Sequence, residues 1–384
     1  MLSKEEVVAI SEEYKRTQAG IPREKYLERI HSFLERKEIL ILRGVRRSGK
    51  STLLRQLIDR LRQNGVPDSN ILYINLEDYR LLAHRNFELL QTILDAAENR
   101  AYVFLDEIQA IPLFESWLKT QYDTEVNAKF IISGSGSQLL SRELGTLLTG
   151  RSITFDVFPL DYEEFHKFTK AGLAEFLEWG GFPEVVLADT EVQKRQLLQS
   201  YTSAITEKDI LLKRAVQEPA VFEKMLHYLL TNPGVRVSVS RLSKHIGLAQ
   251  ATVEKYLTYA AEAYLIFEVP FFSHSAKSKF IRSNVPKYYV IDNGFFRIHT
   301  TRNELSKQLE NAVALKLLRS GGASYWAGKN EVDFIISDTA IQVTATNKIH
   351  QREQAGLDEA QQTLRHIQHR EIVNLDNAER FLNK

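Results

Sequence analysis

The chain has 384 residues, with 50 Lys and Arg against 49 Asp and Glu and a formal net charge of +1. This balance excludes a protein whose entire surface attracts nucleic acid or acidic membranes, so any such surface must be local. The sequence contains no cysteine, which excludes a disulfide framework, a thiolate zinc site and a cysteine nucleophile. The length predicts two or three domains. A charged amino-terminal segment, and the lack of an apolar run of about 20 residues, predict a cytoplasmic location and no membrane helix.

Residues 1–157 predict an α/β domain. Charged helices over residues 1–38 precede an apolar strand, "ILILRG", and a helix, "KSTLLRQLIDRLRQNG". Three more apolar strands follow and alternate with helices: "NILYINLED", "AYVFLDE" and "AKFIISGS". The strand "RSITFDVFPL" closes the domain near residue 157. Continuous apolar runs that alternate with helices are typical of a parallel, doubly wound sheet.

The segment "GVRRSGKS" lies between the first strand and its helix. It fits the P-loop pattern GxxxxGK[ST] in the context that this pattern requires, which predicts a P-loop NTPase. Its glycines let backbone N–H groups turn toward phosphates, and the helix adds its positive amino-terminal end. We expect Lys50 to reach the outer phosphates and the Ser51 hydroxyl to bind Mg²⁺. The predicted nucleotide-binding residues are Gly44, Arg46, Arg47, Ser48, Gly49, Lys50, Ser51 and Thr52.

Further polar groups follow two other strands, and a P-loop enzyme needs such groups beside its phosphates. The strand "AYVFLDE" is predicted to neighbour the P-loop strand. Asp106 would complete the Mg²⁺ shell through water, and Glu107 would polarise the attacking water. Ser133, in "ISGSGS", is predicted to lie beside Asp106 as a catalytic contact to the γ-phosphate or the water. Ser135 is either a second contact of this kind or part of a plain loop.

Two arginines follow, Arg142 in "LLSRELG" and Arg151 in "TGRSITF". A cation that stabilises the transition state is a usual component of P-loop enzymes, supplied by the same chain or by a neighbouring subunit. Arg151 is the residue that we predict for this catalytic role. The alternative for either arginine is a local surface salt bridge.

Six segments in order along the chain resemble one family: "GVRRSGKST", "INLED", "FLDEIQ", "ISGSGSQLLSRELGTLLTGR", "FPLDYEEF" and "GGFPEV". The family comprises bacterial and archaeal AAA+ ATPases whose carboxyl-terminal domain has no assigned function. The resemblance implies an ATPase core, a helical lid, a winged helix and a terminal domain similar to restriction endonucleases. The residues that match the family's motif positions are Glu77, Asp78, Gln109, Gly150, Arg151, Pro159, Gly181, Phe182 and Pro183. The domains expected are 1–157 (core), 158–215 (lid), 216–292 (winged helix) and 293–384 (nuclease-like).

Residues 216–292 have the sequence pattern of a winged helix-turn-helix. "SRLSKHI" predicts a short helix, Gly247 a turn, and "AQATVEKYLTYAAEAYLI" a longer helix. The side chains expected to face its core are Leu242, Ile246, Val253, Leu257 and Ala261. The polar residues offered to a partner are Gln250, Thr252, Glu254 and Lys255 on the second helix, Arg241, Lys244 and His245 on the first, and Lys277, Lys279 and Arg282 on a basic wing. Duplex DNA and another protein are both compatible partners.

The last domain carries a degenerate nuclease pattern. Such a site needs a helix acid, a strand-end aspartate, and Glu-x-Lys on the next strand to hold Mg²⁺ and position water. Glu310 and Asp333 match two of these positions. Gln342 and Thr344 occupy the other two and cannot supply the lost charges. The pattern favours an inactive scaffold that binds or docks over one that cuts DNA.

The function predicted is ATP hydrolysis with Mg²⁺, coupled to movement of the winged-helix and nuclease-like modules, acting on or near DNA. ATP is favoured over GTP by the family resemblance and by the lack of an Asn-Lys-x-Asp motif. One alternative is a nucleotide-gated switch that binds DNA or a protein with little turnover. An ATP-regulated nuclease is less favoured. The partners considered are duplex DNA, a second copy of the chain and another protein.

Overall fold

The structure is a computed structural model that describes residues 2–97, 101–135, 146–273, 285–302, 304–346 and 350–383. The chain divides into two compact units, Met1–Phe158 and Pro159–Lys384. The first boundary lies one residue beyond the predicted position of 157. Within the described ranges, no helix is both long and apolar enough to cross a membrane.

The first unit alternates helices and strands as predicted. Its helices are α1 (Lys4–Lys15), α2 (Glu24–His31), α3 (Lys50–Gln63), α4 (Phe87–Ala96) and α5 (Phe114–Asp123). Its strands are β1 (Ile39–Gly44), β2 (Ile71–Asn75), β3 (Tyr102–Asp106), β4 (Lys129–Ser135) and β5 (Ser152–Asp156). Short 3₁₀ turns at Tyr79–His84 and Ile108–Ala110 follow β2 and β3.

Among the described residues of this unit, the strands form one parallel sheet in the order β2-β3-β4-β1-β5. Successive side chains of a strand point to opposite faces, so the apolar run of β1 supplies both cores. Leu40 and Leu42 pack under α3 on one face, while Ile39 and Ile41 pack on the other. Fully burying one such side chain stabilises the fold by about 1.5–3 kcal/mol. Since all strands are parallel, their carboxyl ends meet at one edge.

The second unit contains α-helices, two sets of strands and a π-helical segment, Ile205–Leu211. Its helices are α6 (Tyr162–Thr169), α7 (Leu173–Trp179), α8 (Pro183–Val186), α9 (Glu191–Ala204), α10 (Pro219–Thr231), α11 (Val239–Ile246), α12 (Gln250–Glu262), α13 (Asn293–His299), α14 (Leu305–Arg319), α15 (Gln351–Thr363) and α16 (Ala378–Asn383). Its strands are β6 (Val235–Arg236), β7 (Ile266–Val269), β8 (Lys287–Val290), β9 (Ser324–Ala327), β10 (Glu331–Ile336), β11 (Thr339–Val343) and β12 (His369–Val373).

In the described part of this unit, the strands form two sheets. One is antiparallel, with the order β6-β8-β7. In the sequence, α10 precedes β6, and α11 and α12 lie between β6 and β7. The other is mixed, with the order β12-β11-β10-β9, where only β11 and β12 are parallel. The helix and strand order is compatible with the winged-helix and nuclease-like predictions. The subdivision at residues 215 and 292 stays a prediction.

Close approaches of Asp292 and Leu160 explain the two glycines of "WGGFPEV". A Cβ on Gly180 would lie 1.8 Å from Oδ1 of Asp292, and one on Gly181 would lie 2.1 Å from the carbonyl oxygen of Leu160. The buried Asp292 accepts hydrogen bonds from the backbone N–H groups of Gly181 (2.7 Å) and Gly294 (2.8 Å). Burial raises the pKa of Asp292 to about 7. This carboxyl therefore joins the segment after α7 to the start of α13.

Candidate functional site

The P-loop connects the end of β1 to the start of α3. Gly44 has no room for a side chain, because a Cβ would lie 2.1 Å from the carbonyl oxygen of Val157. Gly49 adopts φ 94° as the residue before α3, and Arg47 in the loop has φ 70°. The 14 residues of α3 direct its unpaired N–H groups and partial positive charge toward the loop. The loop backbone therefore has the form of an anion-binding turn.

The Lys50 side chain is buried and turned back onto the loop. Its Nζ donates hydrogen bonds of 3.1 Å to the carbonyl oxygens of Gly44 and Val45. Ser51 and Thr52 lie half-buried in the first turn of α3, while Arg46 is half-buried and Arg47 exposed. The Ser48 hydroxyl is buried with no hydrogen-bond partner in the described ranges. A phosphate group fits this set, because it would accept from the Ser48 hydroxyl, the helix N–H groups and a repositioned Lys50.

Asp106 ends β3 at the same edge of the sheet and is fully buried. Its Oδ2 accepts a 2.6 Å hydrogen bond from the hydroxyl of Tyr73 on β2. Its Oδ1 accepts a hydrogen bond from the hydroxyl of Ser133. The predicted placement of Ser133 beside Asp106 is confirmed. Ser135, two residues further along β4, pairs in register with Gly44.

Glu107 follows Asp106 in a left-handed backbone conformation, with φ 55°. Its N–H donates to Ser133 Oγ over 3.3 Å, and its carboxylate accepts from Nε2 of Gln109. Burial raises the pKa of Glu107, the charge of Lys50 lowers it, and the charge of Asp106 raises it further. A carboxylate whose pKa is raised by burial is a stronger base and is suited to accept a proton from water.

The strand order corrects the expectation that β3 neighbours the P-loop strand. β3 is not the immediate neighbour of β1, because β4 lies between them. Asp106 is therefore separated from the P-loop strand by the strand that carries Ser133. This arrangement explains why Ser133, rather than a P-loop residue, contacts the Asp106 carboxylate.

Arg151 does not reach this edge, which corrects its prediction as a catalytic residue of the same chain. Its carbonyl oxygen accepts from the N–H of Ile39 (2.9 Å), at the opposite end of β1 from Gly44. Its Nε pairs with Oδ1 of Asp123 at 2.8 Å. β1 has six residues, so its two ends are roughly 17 Å apart. A role of Arg151 at the site of a neighbouring copy stays a prediction, and Arg142 lies outside the described residues.

Two contacts at the site were missed from the sequence. Tyr73 lies inside the apolar strand "NILYINLED" and gave no sign of its partner; burial and the charge of Asp106 raise its pKa. Arg23, on the amino-terminal side of α2, donates to the carbonyl oxygen of Ser48 over 2.9 Å. Its segment carried only a helical, charged pattern, so no local signal distinguished it from exposed neighbours. Both contacts join residues that lie far apart in the sequence.

A second cluster of charged side chains lies in the second unit. Nζ of the buried Lys287 on β8 lies 2.6 Å from Glu331, 3.2 Å from Asp333 and 3.4 Å from Glu310. Burial lowers the pKa of Lys287, but Tyr289 and the carboxylates raise it well above its ordinary value. Glu310 and Asp333 thus lie together as the nuclease pattern requires. The lysine comes from β8, which the sequence pattern did not predict.

The two replaced positions of that pattern differ in what they contact. Nε2 of Gln342 donates to Oδ2 of Asp333 over 2.7 Å, whereas Thr344 lies near Thr346. Burial, and next the charge of Glu310, raise the pKa of Asp333 to about 7. In the described ranges, no three His, Cys, Asp or Glu side chains are arranged to hold a metal ion.

The helix-turn-helix segment is only partly as predicted. Leu242, Val253 and Leu257 are buried, while Ile246 and Ala261 are half-buried, and Ala260 takes the core position instead. On α12, Gln250, Glu254 and Lys255 are exposed and Thr252 is half-buried. The wing residues Lys277, Lys279 and Arg282 lie outside the described residues. A groove of about 890 Å³ lies beside α10 and α11, with Lys224, Tyr228, Arg236, Arg241 and His245 among its lining residues.

Comparison with known proteins decides the family. A family model described as an AAA domain matches residues 36–166, and one described as a domain of unknown function (DUF8612) matches residues 170–306. An uncharacterized protein of Haemophilus influenzae is 32% identical over 83% of this chain and 84% of its own length. The chain belongs to the AAA+ family of P-loop ATPases.

This AAA+ protein is also similar to a further curated relative and to solved structures. An uncharacterized protein of Methanocaldococcus jannaschii is 32% identical over 78% of this chain and 72% of its own length. Among solved structures, Aeropyrum pernix ORC1 in complex with DNA is 12% identical, with a TM-score of 0.31 over 73% of this chain and 93% of that chain. AMPPCP-bound DnaA from Aquifex aeolicus is 14% identical, with a TM-score of 0.32 over 68% of this chain and 91% of that chain.

Proposed function

We propose that this AAA+ protein binds and hydrolyses ATP with Mg²⁺. The observation that carries the proposal is that the P-loop, Asp106, Glu107 and Ser133 meet at one edge of a parallel sheet. The P-loop N–H groups and Lys50 bind the phosphates once the Lys50 ammonium exchanges its loop carbonyls for phosphate oxygens. Ser51 and Asp106 would hold Mg²⁺, which would offset the negative charge of the phosphates.

Glu107 and Ser133 have different roles in the activation of the attacking water. Glu107 accepts a proton from the water, since its raised pKa suits that exchange. The Ser133 hydroxyl donates a hydrogen bond to the Asp106 carboxylate and accepts one from the backbone N–H of Glu107. The Ser133 hydroxyl therefore fixes the Asp106 carboxylate and the backbone position of Glu107 at the same time.

Two substitutions test this function separately. Lys50→Ala removes the phosphate-binding cation, so we expect ATP binding by calorimetry to be lost. Glu107→Gln keeps the shape of the side chain, so we expect ATP binding to persist while hydrolysis falls roughly 10²–10⁴-fold. Lys167→Ala, on the exposed surface of α6, is the control. Hydrolysis at the wild-type rate in both site variants would show that the assignment is wrong.

A second candidate function is a nucleotide-gated switch that binds duplex DNA. The observation that favours it is the groove beside α10 and α11, where Lys224, Arg241 and His245 form no ion pair within the described ranges and Tyr228 is 42% exposed. Charge reversal by Lys224→Glu with Arg241→Glu should weaken DNA binding and flatten its salt dependence. Titration of duplex against salt, with and without an ATP analogue, measures both effects. A salt slope near zero in the wild-type protein would rule the switch out.

For the chain beyond residue 157 we propose a lid over residues 158–215, a winged helix over 216–292 and a nuclease-like body over 293–384 that docks rather than cuts. The support is Lys287, whose ammonium lies among Glu310, Glu331 and Asp333 and balances part of their charge. Plasmid incubated with the protein and Mg²⁺ or Mn²⁺ should stay intact, with and without ATP. Nicked or linear product that disappears in Asp333→Asn would favour the nuclease alternative.

A further inference from the structure

We propose that Arg23 is a positioning residue that holds the P-loop backbone in its phosphate-binding form and ties it to Phe158, the last residue of the first unit. The proposal rests on the nucleotide-binding part of the proposed function and not on hydrolysis. Arg23 is 3% exposed. Its Nη1 donates to the carbonyl oxygen of Ser48 at 2.9 Å and to that of Phe158 at 3.0 Å. One nitrogen thus joins the P-loop to the exit of the unit.

The segment that carries Arg23 is itself fixed to α3. The backbone N–H of Arg23 donates to Oε1 of Gln56 over 3.1 Å. Nε2 of Gln56 donates to the carbonyl oxygens of Ala19 (2.9 Å) and Ile21 (2.7 Å). The guanidinium also lies 4.5 Å from the ring centroid of Tyr26. Arg23 is therefore held from several sides and can serve as a rigid support for the loop.

The geometry of the peptide bond links this support to phosphate binding. In a trans peptide, the carbonyl group and the N–H group of the same plane point in opposite directions. When Arg23 holds the Ser48 carbonyl on its own side, the N–H of Gly49 must point away from Arg23. Gly49 precedes α3, where unpaired N–H groups bind anions. Arg23 thereby sets the direction of one of the donors expected to contact phosphate.

The exit segment, residues 156–158, is held against the loop by further contacts. The N–H of Phe158 donates to the Tyr26 hydroxyl at 3.1 Å, and that hydroxyl donates to the carbonyl oxygen of Asp156 at 3.0 Å. The N–H of Val157 donates to the carbonyl oxygen of Arg43 over 2.7 Å, and the Val157 carbonyl occupies the space beside Gly44. The exit segment therefore contacts both the first glycine of the loop and, through Arg23, its last turn.

These contacts couple nucleotide binding to the connection between the units. Nη1 of Arg23 donates to both carbonyls. If phosphate moves the Ser48 carbonyl, either one of these two hydrogen bonds must lengthen or the Phe158 carbonyl must move as well. The chain enters the second unit at the next residue, Pro159. An Arg is suited to this role because its planar fork keeps its donors in fixed directions, whereas a Lys ammonium does not.

The test uses the full chain and reads ADP binding together with amide hydrogen exchange. Saturating ADP should slow exchange of peptides covering residues 156–160 in the wild-type protein. Arg23→Gln should weaken ADP binding at least about tenfold, since it removes two charged hydrogen bonds, and should abolish the exchange response even at saturating ADP. Arg29→Gln, which changes an exposed arginine on α2, the helix that Arg23 precedes, should leave both unchanged. Arg23→Lys, which keeps the charge, should retain more affinity than Arg23→Gln and still lose the exchange response.

The outcomes separate this proposal from the proposed function. An unchanged ADP affinity and exchange response in Arg23→Gln would overturn it, even if the wild-type protein hydrolyses ATP. If Arg23→Gln does not fold, a wild-type exchange response in Arg23→Lys would overturn it instead. A wild-type protein that binds ADP without hydrolysing ATP would refute the ATPase proposal. The role of Arg23 would still be tested by ADP affinity and by the exchange response to ADP.

Discussion

The hydroxyl of Tyr73 donates a 2.6 Å hydrogen bond to Oδ2 of Asp106, the carboxylate assigned to Mg²⁺. Both residues are buried, and Ser133 donates to the other oxygen. The carboxylate charge is therefore stabilised by two hydroxyl groups from the strands on either side of β3. Since the carboxylate has no bulk water around it, each donor contributes to the stability of the sheet edge.

Replacement of Tyr73 by Phe removes one of these donors and leaves a buried carboxylate oxygen without it. We expect the free energy of unfolding to fall by about 1.5–3 kcal/mol, the range for a hydrogen bond to a charged group. Urea denaturation of Tyr73→Phe measures the change. Tyr79→Phe is the matched control, because Tyr79 is 83% exposed. Equal losses in the two variants would contradict the role of the Tyr73 hydroxyl.

Arg151 lies at the end of the sheet opposite the P-loop, beside the start of β1. We therefore expect Arg151→Ala to leave nucleotide affinity unchanged. If it acts on the site of a neighbouring copy, hydrolysis should fall in this variant. Mixing Arg151→Ala with Lys50→Ala should then restore part of the activity, because one copy keeps the P-loop and the other keeps the arginine. The mixture is assayed by phosphate release at several protein concentrations. A mixture no more active than its two components would exclude the role in trans.

Lys287 balances the charge of Glu310, Glu331 and Asp333 inside the second unit. Lys287→Met removes the buried cation and should lower the free energy of unfolding by about 3–5 kcal/mol. Adding Asp333→Asn should recover part of that loss, since it removes one uncompensated charge. Lys307→Met, which breaks only the surface pair with Glu304, should cost less than about 1 kcal/mol. Chemical denaturation compares the variants, and the absence of any recovery in the double variant would argue against charge balance.

The stability of the second unit should fall as pH rises toward neutrality. The pKa of buried Asp292 is raised from 3.8 to about 7, so folding favours its protonated form. This contribution is complete below about pH 4 and is lost as pH rises through about 7, which amounts to about 2–3 kcal/mol between pH 5 and pH 8. Asp333 titrates in the same direction, so Asp292→Asn should reduce the loss without removing it. Urea midpoints at the two pH values test this; an undiminished loss in Asp292→Asn would contradict it.

The P-loop edge of the sheet in the first unit was predictable because its signals are local. The apolar run "ILILRG" and the segment "GVRRSGKS" share Gly44, and the acids lie at the end of β3, with Asp106 as its last residue and Glu107 as the next. In a parallel sheet, strand ends meet at one edge whatever the order of the strands. For this reason Asp106, Glu107 and Ser133 could be assigned to the P-loop side before their neighbours were known.

Strand order and long-range partners could not be predicted in this way. The position of β4 between β1 and β3 separates Asp106 from the P-loop strand, and the start of β5 carries Arg151 to the opposite edge. The lysine of the carboxylate cluster comes from β8, whereas the sequence pattern expected it on the strand of Gln342. Apolar periodicity cannot reveal such pairings, because it records only which face of an element is buried.

The sequence by itself determined the α/β class, the P-loop, the acids at the end of β3 and the serine at the end of β4, because turn chemistry and apolar runs act over a few residues. Only the tertiary structure decided that Arg23 supports Ser48 and Phe158, that Tyr73 contacts Asp106 and that Lys287 joins three carboxylates. These contacts depend on which buried polar groups the packed elements bring within hydrogen-bond distance. A buried polar group must find a partner, but the fold, and not the neighbouring sequence, supplies it.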